Sequence, residues 1–140
     1  LKRALRHPDS LVRIFAADAI AAIDPVNAKS SLLVLLGDDD SHVRSCVIDM
    51  LSDLNLASPD VIAAYIAALD DQDDVMSSDV RRCAIQALGK LGVKASRAVP
   101  RLRVIATKDK HTWASALALG LGGRLPLSHL DSARQTNQLI

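Results

Sequence analysis

The sequence contains no glutamate; all sixteen of its acidic residues are aspartate. That removes every mechanism built on a glutamate base or ligand, the His-Glu-x-x-His metalloprotease motif among them. Aromatic residues make up 2% of the chain, namely Phe15, Tyr65 and Trp113. The core must therefore come from Leu, Ile, Val and Ala. Such a core suits closely packed helices better than a β-sandwich, which draws on Thr, Tyr, Phe and Trp. Two cysteines make no disulfide framework and leave the redox compartment open. No apolar run approaches the roughly 20 residues of a membrane span, and Leu1 opens no signal-peptide pattern. The 140 residues suit one domain with a substantial core.

What is present is a repeat. Asp9-Ser10-Leu11-Val12-Arg13, Asp40-Ser41-His42-Val43-Arg44 and Ser77-Ser78-Asp79-Val80-Arg81 superimpose. Each opens an aliphatic stripe: Val12, Ala16, Ala19, Ile20 and Ile23; then Val43, Val47, Met50, Leu51 and Leu54; then Val80, Ala84, Ala87, Leu88 and Leu91. Offsets of four, seven, eight and eleven mark one face of an α-helix. The arginines lie 44 − 13 = 31 and 81 − 44 = 37 residues apart. A period in that range signals a helical solenoid.

Asp9, Asp40 and Ser77 stand where N-caps belong. Alternate helices begin at Asp24-Pro25 and Ser58-Pro59-Asp60, a capping residue followed by proline at the first helical position. A third such helix is expected from about Ser96 to Thr107, and residues 70–78 as a lengthened turn. Leu1 to Arg6 read as the last turns of a helix and His7-Pro8-Asp9 as the turn after it. The expectation is a piece of a longer array, since such a short helix is marginal alone.

Ala87-Leu88-Gly89-x-Leu91-Gly92 and Ala95-x-x-Ala98-Val99-Pro100-x-Leu102 carry a resemblance. They are similar to HEAT repeats, in the short form associated with phycobilisome-lyase-like proteins. The resemblance covers residues 1–123, about 3.5 repeats with the first truncated. It implies an all-α, α-α superhelix of antiparallel helix pairs. Lys110 to Gly123 keeps Ala118-Leu119-Gly120 but lacks the Val-Arg pair, and residues 124–140 are expected as a degenerate cap or tail. The resemblance also implies a structural ladder of Arg13, Arg44 and Arg81, with Asp9 and Asp40 as partners. It places Ile14, Asp18, Ser45, Asp49, Arg82, Gln86 and Lys90 on the concave surface.

Other constellations read more plainly. Phe15, Cys46 and Cys83 share one repeat position. His42, Cys46, Asp79 and Cys83 would make a four-cornered zinc patch if helices stacked in register. Helix axes about 8–10 Å apart strain such a site, and they exceed the roughly 7 Å limit for a Cys46–Cys83 disulfide. A half-buried column is the expectation instead. Asp38-Asp39-Asp40 and Asp70-Asp71-Gln72-Asp73-Asp74 lack the glycine and closing carboxylate of a calcium loop, and are read as solvated turn edges. His7, His111 and His129 are isolated and are assigned no role.

Charge is divided along the chain. Residues 1–80 hold 6 Lys/Arg and 14 Asp, residues 81–140 hold 11 Lys/Arg and 2 Asp. The basic part offers Arg82, Lys90, Lys94, Arg97, Arg101 and Arg103 as a partner surface. The expected function is a non-catalytic scaffold for another protein, with no cofactor, no metal and no membrane. Nucleic-acid binding through phosphate contacts is the alternative, although Trp113 is the only aromatic there to stack bases. Self-association of acidic with basic ends is a further option. A bilin-lyase-like enzyme would need a chromophore pocket, for which there is no signature, and absence of Glu excludes the iron site of deoxyhypusine hydroxylase. HEAT-like DNA glycosylases are echoed thinly by Trp113 and the basic residues.

Overall fold

Short aspartate side chains launch the helices. Asp9 accepts from the Leu11 amide at 2.9 Å, Asp40 from the His42 amide at 2.8 Å, and Asp24 from the Asn27 amide at 3.2 Å. Each satisfies a first-turn N–H that has no partner within its helix. The computed structural model describes residues 2–72 and 80–108. After a 3-10 turn at Ala4–Arg6 come α1 (Ser10–Ile23), α2 (Pro25–Leu35), α3 (Ser41–Asp53), α4 (Pro59–Ala68), α5 (Val80–Leu91) and α6 (Val99–Lys108). No strand occurs among the described residues.

Pro25 and Pro59 open α2 and α4 as expected. Ser58 holds the N-cap position of α4 but accepts no cap bond; the Asp60 carboxylate takes the Val61 N–H instead, at 3.0 Å. The stops also repeat. Asn55 and Gly92, 92 − 55 = 37 residues apart, both adopt positive φ, 50° and 55°, the left-handed turn that ends a helix. Between Gly92 and Ala98 the chain runs as a 3-10 segment, so α6 starts at Val99 rather than Ser96. The Ser77 cap, most of the 70–78 turn, and the expected last repeat and tail lie outside the described residues.

α1, α3 and α5 pack side by side in one row. In the second row α2 bridges α1 and α3, while α4 lies on α5 and on the segment that leads to α6. Helices of the first row pack directly on one another, whereas α2 and α4 make little direct contact. Small buried residues such as Ala17, Ala84, Ala87 and Gly89 permit the close approach. Leu32, Ile48, Leu51, Tyr65 and Leu88 fill the space between rows.

Burial at equivalent positions climbs along the chain. Val80, Cys83, Ala87 and Leu91 of α5 are all buried. Of their counterparts in α3, Val43 is buried and Cys46, Met50 and Leu54 are half-buried. In α1 the counterparts Val12 and Ala19 are half-buried, while Phe15 and Ile23 are 68% and 72% exposed. The expected half-buried column of Phe15, Cys46 and Cys83 is thus a gradient. The reason is positional: this face meets the preceding helix, and α1 has only the short 3-10 turn there.

Asp40 offers a direct test of the caps. Bonds from the His42 amide and the Ser10 hydroxyl hold its carboxyl below the ordinary range. Its stabilisation is therefore complete above the unfolded carboxylate pKa and is lost as pH falls through the lower folded value. Asp40→Ala should lose about 1 kcal/mol at neutral pH. Urea unfolding should show the gap between variant and wild type narrowing under acid.

Candidate interaction surface

The recurrent arginines form a chain of contacts along the turns. Arg13 Nε and Nη2 donate to the two Asp38 carboxylate oxygens, each at 2.8 Å, and Nη1 donates to the carbonyls of His7 (2.7 Å) and Pro8 (3.0 Å). Arg44 repeats this one repeat later. Its Nε and Nη2 reach Asp71 at 2.8 and 3.0 Å, and its Nη1 reaches the carbonyls of Asp38 and Asp39 at 2.7 and 3.1 Å. Asp38 thus receives Arg13 on its side chain and Arg44 on its backbone, which couples successive rungs. Such two-pronged, charge-assisted pairs are the strong kind.

Asp9 and Asp40, the expected partners, are not the acceptors. Their carboxylates point back into their own helix starts as caps. The acceptors come from the turns 25 and 27 residues after each arginine. Asp38 and Asp71 are therefore not solvated turn edges; their side chains are 9% and 12% exposed. Arg81 stands at the third rung, and residues 73–79 beside it lie outside the described residues.

On the row of α1, α3 and α5, Asp18, Asp49, Arg82 and Lys90 are exposed and Ile14 and Gln86 half-exposed. Ser45, expected among them, is buried, because its hydroxyl donates to the His42 carbonyl at 3.0 Å. Charge changes sign along this row. Lys90 reaches Asp53 at 3.6 Å, and Lys90 and Arg82 both act on Asp49, whose carboxyl burial nonetheless pushes above its ordinary range. Arg101 of α6 pairs with Asp70. Lys94, Arg97 and Arg103 are exposed and make no ion pair among the described residues. The six cations expected as one surface therefore divide into a neutralised group and an available one.

A family model of HEAT repeats matches residues 1–78, more than half of the chain. The chain belongs to the HEAT-repeat family. No curated protein and no solved structure matches it. HEAT repeats are generally protein-interaction scaffolds and are typically non-catalytic. In this HEAT chain the pattern continues past the matched residues, since α5 repeats α3 at an offset of 37.

The chemistry available on the HEAT stack is limited. A cleft of about 320 Å³ lies over the Arg44–Asp71 rung beside Ala64 and Val80, and one of about 420 Å³ over the Arg13–Asp38 rung beside Leu5 and Val34. In each the guanidinium is already held by its carboxylate. Burial, aided by Asp49 and Asp40, raises the Cys46 thiol, the reverse of nucleophile activation. The Tyr65 phenol is likewise pushed up by burial and by Asp49 and Asp53. His42 lies 4.0 Å from Cys46 Sγ, and no group of three possible metal ligands converges among the described residues. No described helix is long and apolar enough to cross a membrane.

Proposed function

We propose that this HEAT array is a non-catalytic scaffold whose basic end, at Lys94, Arg97 and Arg103, holds an acidic segment of a protein partner. The observation that carries this reading is the exposure of these three cations, with no carboxylate partner among the described residues, while Lys90 and Arg101 pair with Asp53 and Asp70. Exposed charges of one sign attract an oppositely charged partner over a Debye length of about 10 Å at 0.1 M salt. Their contribution falls on specificity and association rate more than on raw affinity.

The test is affinity capture followed by charge reversal. The wild-type chain should retain an acidic protein that the Lys94→Glu/Arg97→Glu/Arg103→Glu variant retains at least about tenfold less, as like-charge contacts cost several kcal/mol. Equal retention by both proteins removes the basic end from the function. A second reading, contact with nucleic-acid phosphates, is favoured by the count of 11 Lys/Arg against 2 Asp after residue 80. Counterion release would make such binding fall steeply with salt, and a mobility-shift titration at two salt concentrations separates the two.

A further inference from the structure

Two aspartates follow α4, and only one of them belongs to the arginine ladder. The turns after α2 and α4 match bond for bond. The Gly37 and Asp38 amides donate to the Val34 and Leu35 carbonyls, each at 3.1 Å, and the Asp70 and Asp71 amides to those of Ala67 and Ala68 at 3.1 and 3.3 Å. Asp71 therefore occupies the place of Asp38, and it receives an arginine as Asp38 does. Asp70 occupies the place of Gly37, where the preceding turn has no side chain. Its carboxylate accepts from Nη2 of Arg101, 101 − 70 = 31 residues on. The two pairs differ in their access to water. Arg44 and Asp71 are each 12% exposed, whereas Arg101 and Asp70 are 39% and 55% exposed. A pair so open to water is weak, and its carboxylate can be exchanged for another without unfolding the turn.

Arg101 also stands among the cations that would meet an acidic partner. Ala95 holds the only non-helical dihedrals of the segment leading into α6, so Arg97 and Arg101, four residues apart, stand one turn apart on one face. Arg97 is exposed. Resting on the acidic-partner reading, we propose that Asp70 is an internal stand-in for the partner's carboxylate. It holds Arg101 in the free chain, and an acidic segment displaces it to sit between Arg97 and Arg101. A carboxylate placed there meets two guanidinium groups where Asp70 pairs with one, and it relieves the repulsion of like charges one turn apart. Asp70 has the opposite advantage of being tethered, so its effective concentration exceeds that of a single free carboxylate. A segment with several carboxylates, which engages Lys94 and Arg103 at the same time, outcompetes it. Asp70 thus sets specificity: runs of acidic residues bind, and isolated ones do not.

Fluorescence anisotropy of a labelled oligo-aspartate peptide, titrated with the full chain, tests this. Wild type should bind the peptide, and Asp70→Ala should bind it about threefold tighter, the change that releasing one exposed ion pair allows. Alanine also removes a negative charge near the site, and Arg101→Gln separates the two causes. With Arg101→Gln in place, Asp70→Ala should change nothing, because no guanidinium is left to release. Urea midpoints of wild type and Asp70→Ala should differ little, since the pair is exposed. Equal or weaker binding by Asp70→Ala overturns the inference, because the pair would then only position α6. So does a gain that persists with Arg101→Gln, which would reflect net charge alone. In either case the acidic-partner reading stands if Lys94→Glu/Arg97→Glu/Arg103→Glu still loses the peptide. A peptide that neither wild type nor Asp70→Ala binds removes both.

Discussion

Arg44→Ala should lower the unfolding free energy by about 3 kcal/mol, the low end of what breaking a buried ion pair costs. Both side chains of the Arg44–Asp71 pair are 12% exposed, so solvent screens the pair little. Removing the guanidinium leaves the Asp71 carboxylate without its two-pronged donor and strips Nη1 from the Asp38 and Asp39 carbonyls. Two turns are loosened at once. Arg44→Lys should recover about half, because an ammonium keeps the charge but cannot span both oxygens. Urea midpoints for Arg44→Ala, Asp71→Ala and the double variant would measure the coupling, expected near 2 kcal/mol for a contacting pair. If Arg44→Ala shifts the midpoint no more than Lys29→Ala, whose ion pair with Asp60 is half-exposed, the rungs contribute nothing to stability.

The second large effect is a comparison across repeats. Ile20, Leu51 and Leu88 occupy one position in α1, α3 and α5. Leu51 and Leu88 are fully buried and Ile20 is 8% exposed. Leu51→Ala and Leu88→Ala should each cost about 3–4 kcal/mol, and Ile20→Ala about 2, all within the range for large-to-small core changes. The difference arises because a repeat buries its apolar face only against its neighbours. Helix α3 has α1 and α5 on either side in the row, α5 packs on α3, α4 and the segment leading to α6, and α1 packs on α2, α3 and the short 3-10 turn. The measurement is the midpoint of urea unfolding at constant slope. Equal losses at all three positions would mean that burial here is not a nearest-neighbour property.

Much of the architecture was legible in the residue order. The stripes from Val12, Val43 and Val80 mapped onto α1, α3 and α5, because an amphipathic helix writes its 3.6-residue period directly into the chain. The Asp9, Asp24 and Asp40 caps were equally legible, since a cap and its amide lie two or three residues apart. Ile48 and Ile85 were not. Both fall outside the stripe yet are buried, because α3 and α5 are covered on more than one side. The resemblance places Ser45 on the concave surface, whereas one bond to the His42 carbonyl allows it to be buried. The spacing of 25 and 27 residues from each arginine to the aspartate that receives it was a signal, but an unequal one, hidden within runs of Asp.

By itself the sequence determined where α1 to α4 start, which faces are apolar, that the unit repeats, and that any carboxylate chemistry would have to come from aspartate. These follow from hydrogen bonds and periodicities that act over a few residues. Only the tertiary structure decided that Asp38 and Asp71 receive the arginines, that Asp70 neutralises Arg101 while among the described residues no carboxylate pairs with Lys94, Arg97 or Arg103, and that Phe15 is exposed where Cys83 is buried. Each of those outcomes depends on how a turn places its carboxylates or on whether another helix lies alongside, and neither condition is local to the residue concerned.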